Sequence, residues 1–177
     1  MQLELFHGTR QRFTQFDTSF KGTAEAGGDI DACWFTDNFE GARNHALLQN
    51  RNAGAPLVYR CELTPGALIA DHSKPLSKQP AIAERLRQYA PVGISSSLGH
   101  GRGWHVLKMP VYQTYQGKTI FQKHESFSGN EAIALYRTCG IHGVYDWEGE
   151  STDSYLRGTV TVIFDLSVLA IREVIEV

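Results

Sequence analysis

The chain has 177 residues, 42% of them hydrophobic and 20% charged, with a formal net charge of -2 at pH 7. That size and balance describe one soluble globular domain with room for a core, and they exclude the strongly basic field of a general nucleic-acid or membrane-surface binder. Cys33, Cys61 and Cys139 are odd in number and lack Cys-x-x-Cys spacing, which argues against a disulfide framework or a zinc site and for buried thiols in a reducing, cytoplasmic setting.

No basic stretch followed by a short apolar run opens the chain, and no apolar run approaches the roughly 18 residues of a membrane span. A cleaved secretory signal and a membrane helix are therefore not expected. In Leu3-Glu4-Leu5-Phe6-His7-Gly8-Thr9, Leu3 and Leu5 alternate with Glu4, predicting a short half-buried strand that ends at His7-Gly8-Thr9. A histidine at a strand end, followed by glycine and a hydroxyl residue, can present an imidazole and bare backbone to a ligand. Taken alone, such a histidine is more often structural. Phe13 and Phe16 are expected to pack beneath a loop, and residues 17–31, rich in Gly, Ser, Thr and Asp, read as that loop.

Ala32-Cys33-Trp34-Phe35-Thr36-Asp37-Asn38 reads as strand, turn and helix start. Asp37 and Glu40 have capping-box spacing, and Phe39, Ala42 and Ala46 predict a helix from about Asn38 to Gln49. Leu57 to Leu63 alternates as a strand stopped by Pro65-Gly66, with a short continuation at Leu68 to Asp71. Pro80 opens a helix with Ile82, Leu86 and Tyr89 on one face, ending before Pro91.

Residues 92–130 carry little pattern. The Gly/Ser stretch around His100 and Arg102 is a target-binding loop or a connection; it lacks phosphate-loop spacing. Trp104 to Met109 is a candidate strand. Ser128 and Glu131 again have capping-box spacing ahead of Ala132, Ile133, Leu135 and Tyr136, and Gly140 ends that helix. His142 to Glu148, the β-branched run Thr159 to Asp165, and Ala170 to Val177 are read as late strands, the last at a sheet edge.

The His7-Gly8-Thr9 strand and the Trp34-Phe35-Thr36-Asp37-Asn38 segment, in this order and spacing, resemble the front half of the ADP-ribosyltransferase fold of the diphtheria-toxin and poly-ADP-ribose-polymerase type. The resemblance implies one α+β domain over 1–177, with split, mostly antiparallel sheets flanked by helices and a central NAD cleft. It implies that His7 holds a ribose hydroxyl and that Gly8 and Thr9 meet the nicotinamide amide. Trp34, where the family has Tyr, would stack on the nicotinamide, with Phe35 and Thr36 lining the same pocket. No metal is required.

The chain departs from the family at the late-strand glutamate, whose position falls on or beside Val160. Substitute carboxylates stand nearby in Asp146, Glu148, Glu150 and Asp153. In a continuous strand Val144, Asp146 and Glu148 share one face. Similarity to phage anti-CRISPR ADP-ribosyltransferases, which open with a closely similar Glu-Leu-Phe-His-Gly segment, points to Glu148, with Asp146 and Asp153 behind it. The plain alternative is a solvated acidic turn. The activity so implied is mono-ADP-ribosyl transfer from NAD to a macromolecular target, protein rather than nucleic acid, by a bacterial or phage effector, toxin or anti-defence protein. The alternatives are a non-catalytic NAD- or partner-binding module of the same fold, or an ADP-ribosyltransferase acting on nucleic acid.

Overall fold

Alternation in the first strand sets the architecture. In a computed structural model, which describes residues 3–19, 30–48, 54–89, 112–115, 118–121, 129–147 and 157–177, β1 (Glu4–Thr9) lies near the middle of a seven-stranded sheet. The strands in order are β4 (Ile69–Asp71), β7 (Gly143–Tyr145), β8 (Val160–Ile163), β2 (Cys33–Thr36), β1, β3 (Leu57–Leu63) and β9 (Leu169–Glu176). β4 runs parallel to β7 and the other neighbours are antiparallel, so the sheet is mixed. β5 (Tyr112–Tyr115) and β6 (Lys118–Phe121), described by backbone alone, form a separate hairpin that the sequence reading did not foresee. The expected pair of split sheets is thus, among the described residues, one continuous sheet plus this hairpin. A division survives only between β1 and β2, which share the single residue pair Phe6–Thr36.

Three helices appear among the described residues: α1 (Phe39–Leu48), α2 (Pro80–Tyr89) and α3 (Gly129–Thr138). Asn38 caps α1 by accepting from the Gly41 amide at 3.1 Å. The expected Asp37–Glu40 box is not used, because Asp37 turns instead to the amide of Thr159 at 2.8 Å and the hydroxyl of Tyr145 at 2.9 Å. α3 ends as predicted: Gly140 takes φ 66, and the amides of Gly140 and Ile141 bond to the carbonyls of Arg137 and Tyr136.

Strict strand alternation separates two faces. On one, Ala70, Val144 and Val162 pack with Ile82, Ala83 and Leu86 of α2 and Ile133 and Tyr136 of α3, with Trp34 against them. Further along that face Phe6 and Val58 meet Ala42 of α1. On the other face Leu5, Phe35, Tyr59 and Ile163 pack with Phe16, which comes from the stretch following β1. The edge strand β9, predicted from its alternation, carries a bulge at Arg172 and the charges Glu173 and Glu176, features that discourage pairing with another chain.

Gly8 is where the sheet and α1 come closest. A Cβ there would lie 1.9 Å from the Ala42 carbonyl oxygen and 3.0 Å from the Ala46 nitrogen. Small residues on both partners let the helix backbone rest on the strand. Gly8→Ala is accordingly expected to destabilise the fold by about 3 kcal/mol, measured by urea unfolding at neutral pH.

Candidate functional site at the join of β1 and β2

β1 pairs with β3 over six residues and β2 pairs with β8 over four, but β1 and β2 meet only at Phe6–Thr36. Continuing that register sets His7 across from Phe35 and Gly8 across from Trp34. The last two are not paired as a ladder. The Trp34 carbonyl receives a hydrogen bond from Nδ1 of His7 at 2.7 Å, and the Gly8 carbonyl receives one from Nδ1 of His45 at 2.9 Å. Two imidazoles, one from the strand and one from α1, therefore take carbonyls that a continuous ladder would use.

The His7 bond fixes the tautomer. A carbonyl only accepts, so Nδ1 carries the proton and Nε2 keeps its lone pair. Burial above all, partly offset by the bond to the Trp34 carbonyl and reinforced by the nearby His45, brings His7 down from 6.5 to about 4. At neutral pH His7 is thus an uncharged imidazole whose second nitrogen is a hydrogen-bond acceptor. The residue as a whole is half-buried. Its neighbours are Phe16 at 5.3 Å edge-on, Phe35 at 5.8 Å and Phe13 at 6.3 Å between ring centroids.

The structure brings the other sequence-derived site residues together only in part. Trp34 lies one position from Phe35, so its indole leaves the sheet on the opposite face, against the cluster of α2 and α3. The link from His7 to Trp34 is made to its main chain, not its ring. Phe35 is 3% exposed and Thr36 4% exposed, so on β2 only Trp34 keeps more than marginal surface among these three. The Thr36 hydroxyl accepts from the Asn38 amide at 3.2 Å, and the Thr9 hydroxyl accepts from the Gln11 amide at 3.1 Å. Gly8 is covered by α1.

β8 is buried throughout and carries no carboxylate. The strand expected over His142 to Glu148 stops at Tyr145, because Asp146 turns into the left-handed region at φ 59. The even alternation that put Val144, Asp146 and Glu148 on one face therefore fails. Asp146 is buried at the end of β7; Glu148, Glu150 and Asp153 lie outside the described residues, as do the Gly/Ser stretch at 95–103 and the candidate strand at Trp104 to Met109.

Three contributors escaped the sequence reading. His45 sits three residues after Ala42 and one before Ala46 on α1, so its reach to Gly8 follows from helical spacing once the packed face is known. Asp37 ties the end of β2 to β7 through Tyr145 and to the start of β8 through Thr159. Tyr59, read only as a strand residue, lies directly opposite His7. Among the described residues no group of three or more His, Cys, Asp or Glu side chains is gathered to hold a metal ion, and no described helix is long and apolar enough to cross a membrane. Comparison of the chain with protein-family models, with curated proteins and with solved structures gave no match.

The buried neutral ring has a pH signature. Its folded pKa lies below the ordinary value, so the unfolded chain takes up the proton first; the contribution is complete above 6.5 and is lost as pH falls toward 4. After allowance for the residue's partial exposure, stability is expected to drop by about 2 kcal/mol across that window. Urea unfolding of wild type and His7→Gln at both ends of the window checks this, and the variant should show the smaller drop.

Proposed function

We propose that the protein is a mono-ADP-ribosyltransferase that takes NAD as its substrate, transfers ADP-ribose to a protein acceptor and releases nicotinamide. The observation that carries this reading is the hydrogen bond from His7 Nδ1 to the Trp34 carbonyl across a join held by one residue pair. It leaves, at a parting between strands, an uncharged imidazole with an accepting Nε2. Such a group suits a ribose hydroxyl, which donates.

In the proposed reaction the bond between ribose C1 and the nicotinamide nitrogen breaks, and the electron pair leaves with the neutral nicotinamide. The acceptor's nucleophile forms the new bond and gives up its proton. Positive charge builds on the ribose ring, so a carboxylate beside it lowers the barrier, and fixed hydroxyls keep the reacting carbon oriented. His7 would hold one hydroxyl. The nicotinamide stacking expected of Trp34 is not carried into this site, because its indole lies on the sheet face opposite His7; the main chain of Thr9 remains for the amide group, Gly8 being covered by α1. Phe35 and Thr36 would support the site from within the core. The carboxylate falls to Glu148 or Asp146. The setting of a bacterial or phage effector, toxin or anti-defence protein rests on the family resemblance of the two N-terminal segments.

A second reading has its own support: a non-catalytic module that binds NAD or a partner. It is favoured by β8, whose four buried residues hold no carboxylate where the resembled enzymes have theirs. Calorimetry with NAD and an assay of nicotinamide release separate the two. His7→Ala is expected to weaken NAD binding by about tenfold or more. Glu148→Gln or Asp146→Asn is expected to abolish release while leaving NAD affinity nearly intact. Wild-type protein that binds NAD but never releases nicotinamide would establish the binding module, and protein that does neither would sink both readings. Labelling lysate with tagged NAD, followed by protease or nuclease, distinguishes a protein acceptor from nucleic acid.

A further inference from the structure

We propose that Tyr59 is a positioning residue for His7: it fastens a strap bearing Phe13 and Phe16 over the imidazole, holding the ring in one orientation and shielding that side from water. Tyr59 lies opposite His7 in the β1–β3 register and is fully buried. Both hydrogen bonds of its hydroxyl go to the main chain of one residue. It accepts from the Phe13 amide at 2.7 Å and donates to the Phe13 carbonyl at 2.9 Å. Its ring stacks on that of Phe13 at 4.2 Å and 5°. Phe13 in turn meets Phe16 at 4.8 Å, and Phe16, only 6% exposed, stands edge-on to His7 at 5.3 Å and 86°. A continuous line of contacts thus runs from the Tyr59 hydroxyl to the imidazole.

Residues 11–19 contain no helix or strand, so no regular ladder orders this stretch. Arg10 anchors its start, bonding to the carbonyls of Ala46, Leu47 and Gly54. Beyond Arg10 the Tyr59 hydroxyl ties this stretch to β3 through both main-chain groups of Phe13. A buried phenol satisfies its own polar group by any good partner. Spending both bonds on a loop backbone pins the segment that covers the histidine.

Burial is the largest cause of the depressed His7 pKa, so whatever keeps the strap down keeps the ring neutral. The groups packed about His7 are Tyr59 from β3, the Phe35 ring and Trp34 carbonyl from β2, Phe13 and Phe16 from the strap, and His45 from α1. Of these Tyr59 and His45 can titrate. Asp17, at the far end of the strap, acts on the Cys33 thiol. The effect on the ring is independent of the ligand; its consequence for NAD rests on the proposed transferase reading.

Tyr59→Phe keeps the stacked ring and deletes the hydroxyl. The His7 titration is followed by NMR, assigned with His7→Gln, in wild type, Tyr59→Phe and Phe16→Ala. The expected result is a midpoint near 4 in wild type and an upward shift of about one unit or more in both variants. At pH 4 NAD affinity should also fall about fivefold further in Tyr59→Phe than in wild type. A Tyr59→Phe protein that is less stable to heat yet titrates His7 as wild type does would overturn the proposal, making Tyr59 an ordinary core tyrosine. A shift in Tyr59→Phe without one in Phe16→Ala would overturn the strap as its route. Absence of NAD binding by wild type would remove the transferase reading and leave the titration result standing.

Discussion

The structure turns on two main-chain carbonyls that have imidazole partners where strand partners would serve. Two positions on from Phe6–Thr36, Gly8 and Trp34 face each other across the join, and their oxygens go to His45 and His7. Buried carbonyls must be satisfied somewhere. Side-chain donors reach farther than a neighbouring amide, so the strands can part here without leaving polar groups unmet. The seam is therefore a place where the sheet gives up regular pairing yet keeps its hydrogen bonds, and it orients a neutral imidazole in doing so.

Everything near the seam is held from behind. α1 rests its backbone on Gly8, which excludes any side chain there. Asp37, freed from capping by Asn38, braces the far end of β2 against Tyr145 and Thr159, and burial together with the Asp37 carboxylate raises the Tyr145 pKa. Gly158 fits against Thr36, Asn38 and Asp37 with no room for a Cβ. On the opposite face the rings of Phe13, Phe16, Phe35 and Tyr59 surround His7. Helix, carboxylate brace and aromatic cluster thus leave the seam little freedom, as a site that must hold a ligand in one geometry requires.

The chemistry proposed for this seam asks for polar, neutral and aromatic groups around a dinucleotide, with one negative charge near the ribose. The neutral and polar groups are present in His7 and the Thr9 main chain, while the aromatic rings on the His7 face are Phe13, Phe16 and Phe35, the Trp34 indole lying on the other face. The carboxylate is the point at which this chain parts from the family it resembles. Val160–Ile163 is a wholly apolar-lined, buried strand segment apart from Thr161. Asp146, buried beside it in the sequence of strands and set at a positive φ, shows how the chain redirects itself just before the acidic stretch. Backbone of that kind is found where side-chain direction matters more than local comfort.

Local pattern was enough for much of this. The alternation of Leu3 and Leu5, the β-branched run before Asp165 and the apolar spacing after Pro80 and Gly129 determined strands and helices at close to their observed bounds, and Gly140 determined a helix end. His7, Gly8 and Trp34 were singled out not by periodicity but by the resemblance of two N-terminal segments, in order and spacing, to a known family. Register and face are non-local, and only the tertiary structure decided them. It chose Asn38 over Asp37 as the cap, because Asp37 has partners more than a hundred residues away in sequence. It set Phe35 rather than the Trp34 ring beside His7, because a single pair between β1 and β2 fixes which residues oppose. It ended β7 at Tyr145 by a turn at Asp146 that alternation does not announce. Periodicity records which side of an element is apolar; which elements meet, and in what register, is settled by packing between segments far apart in the chain.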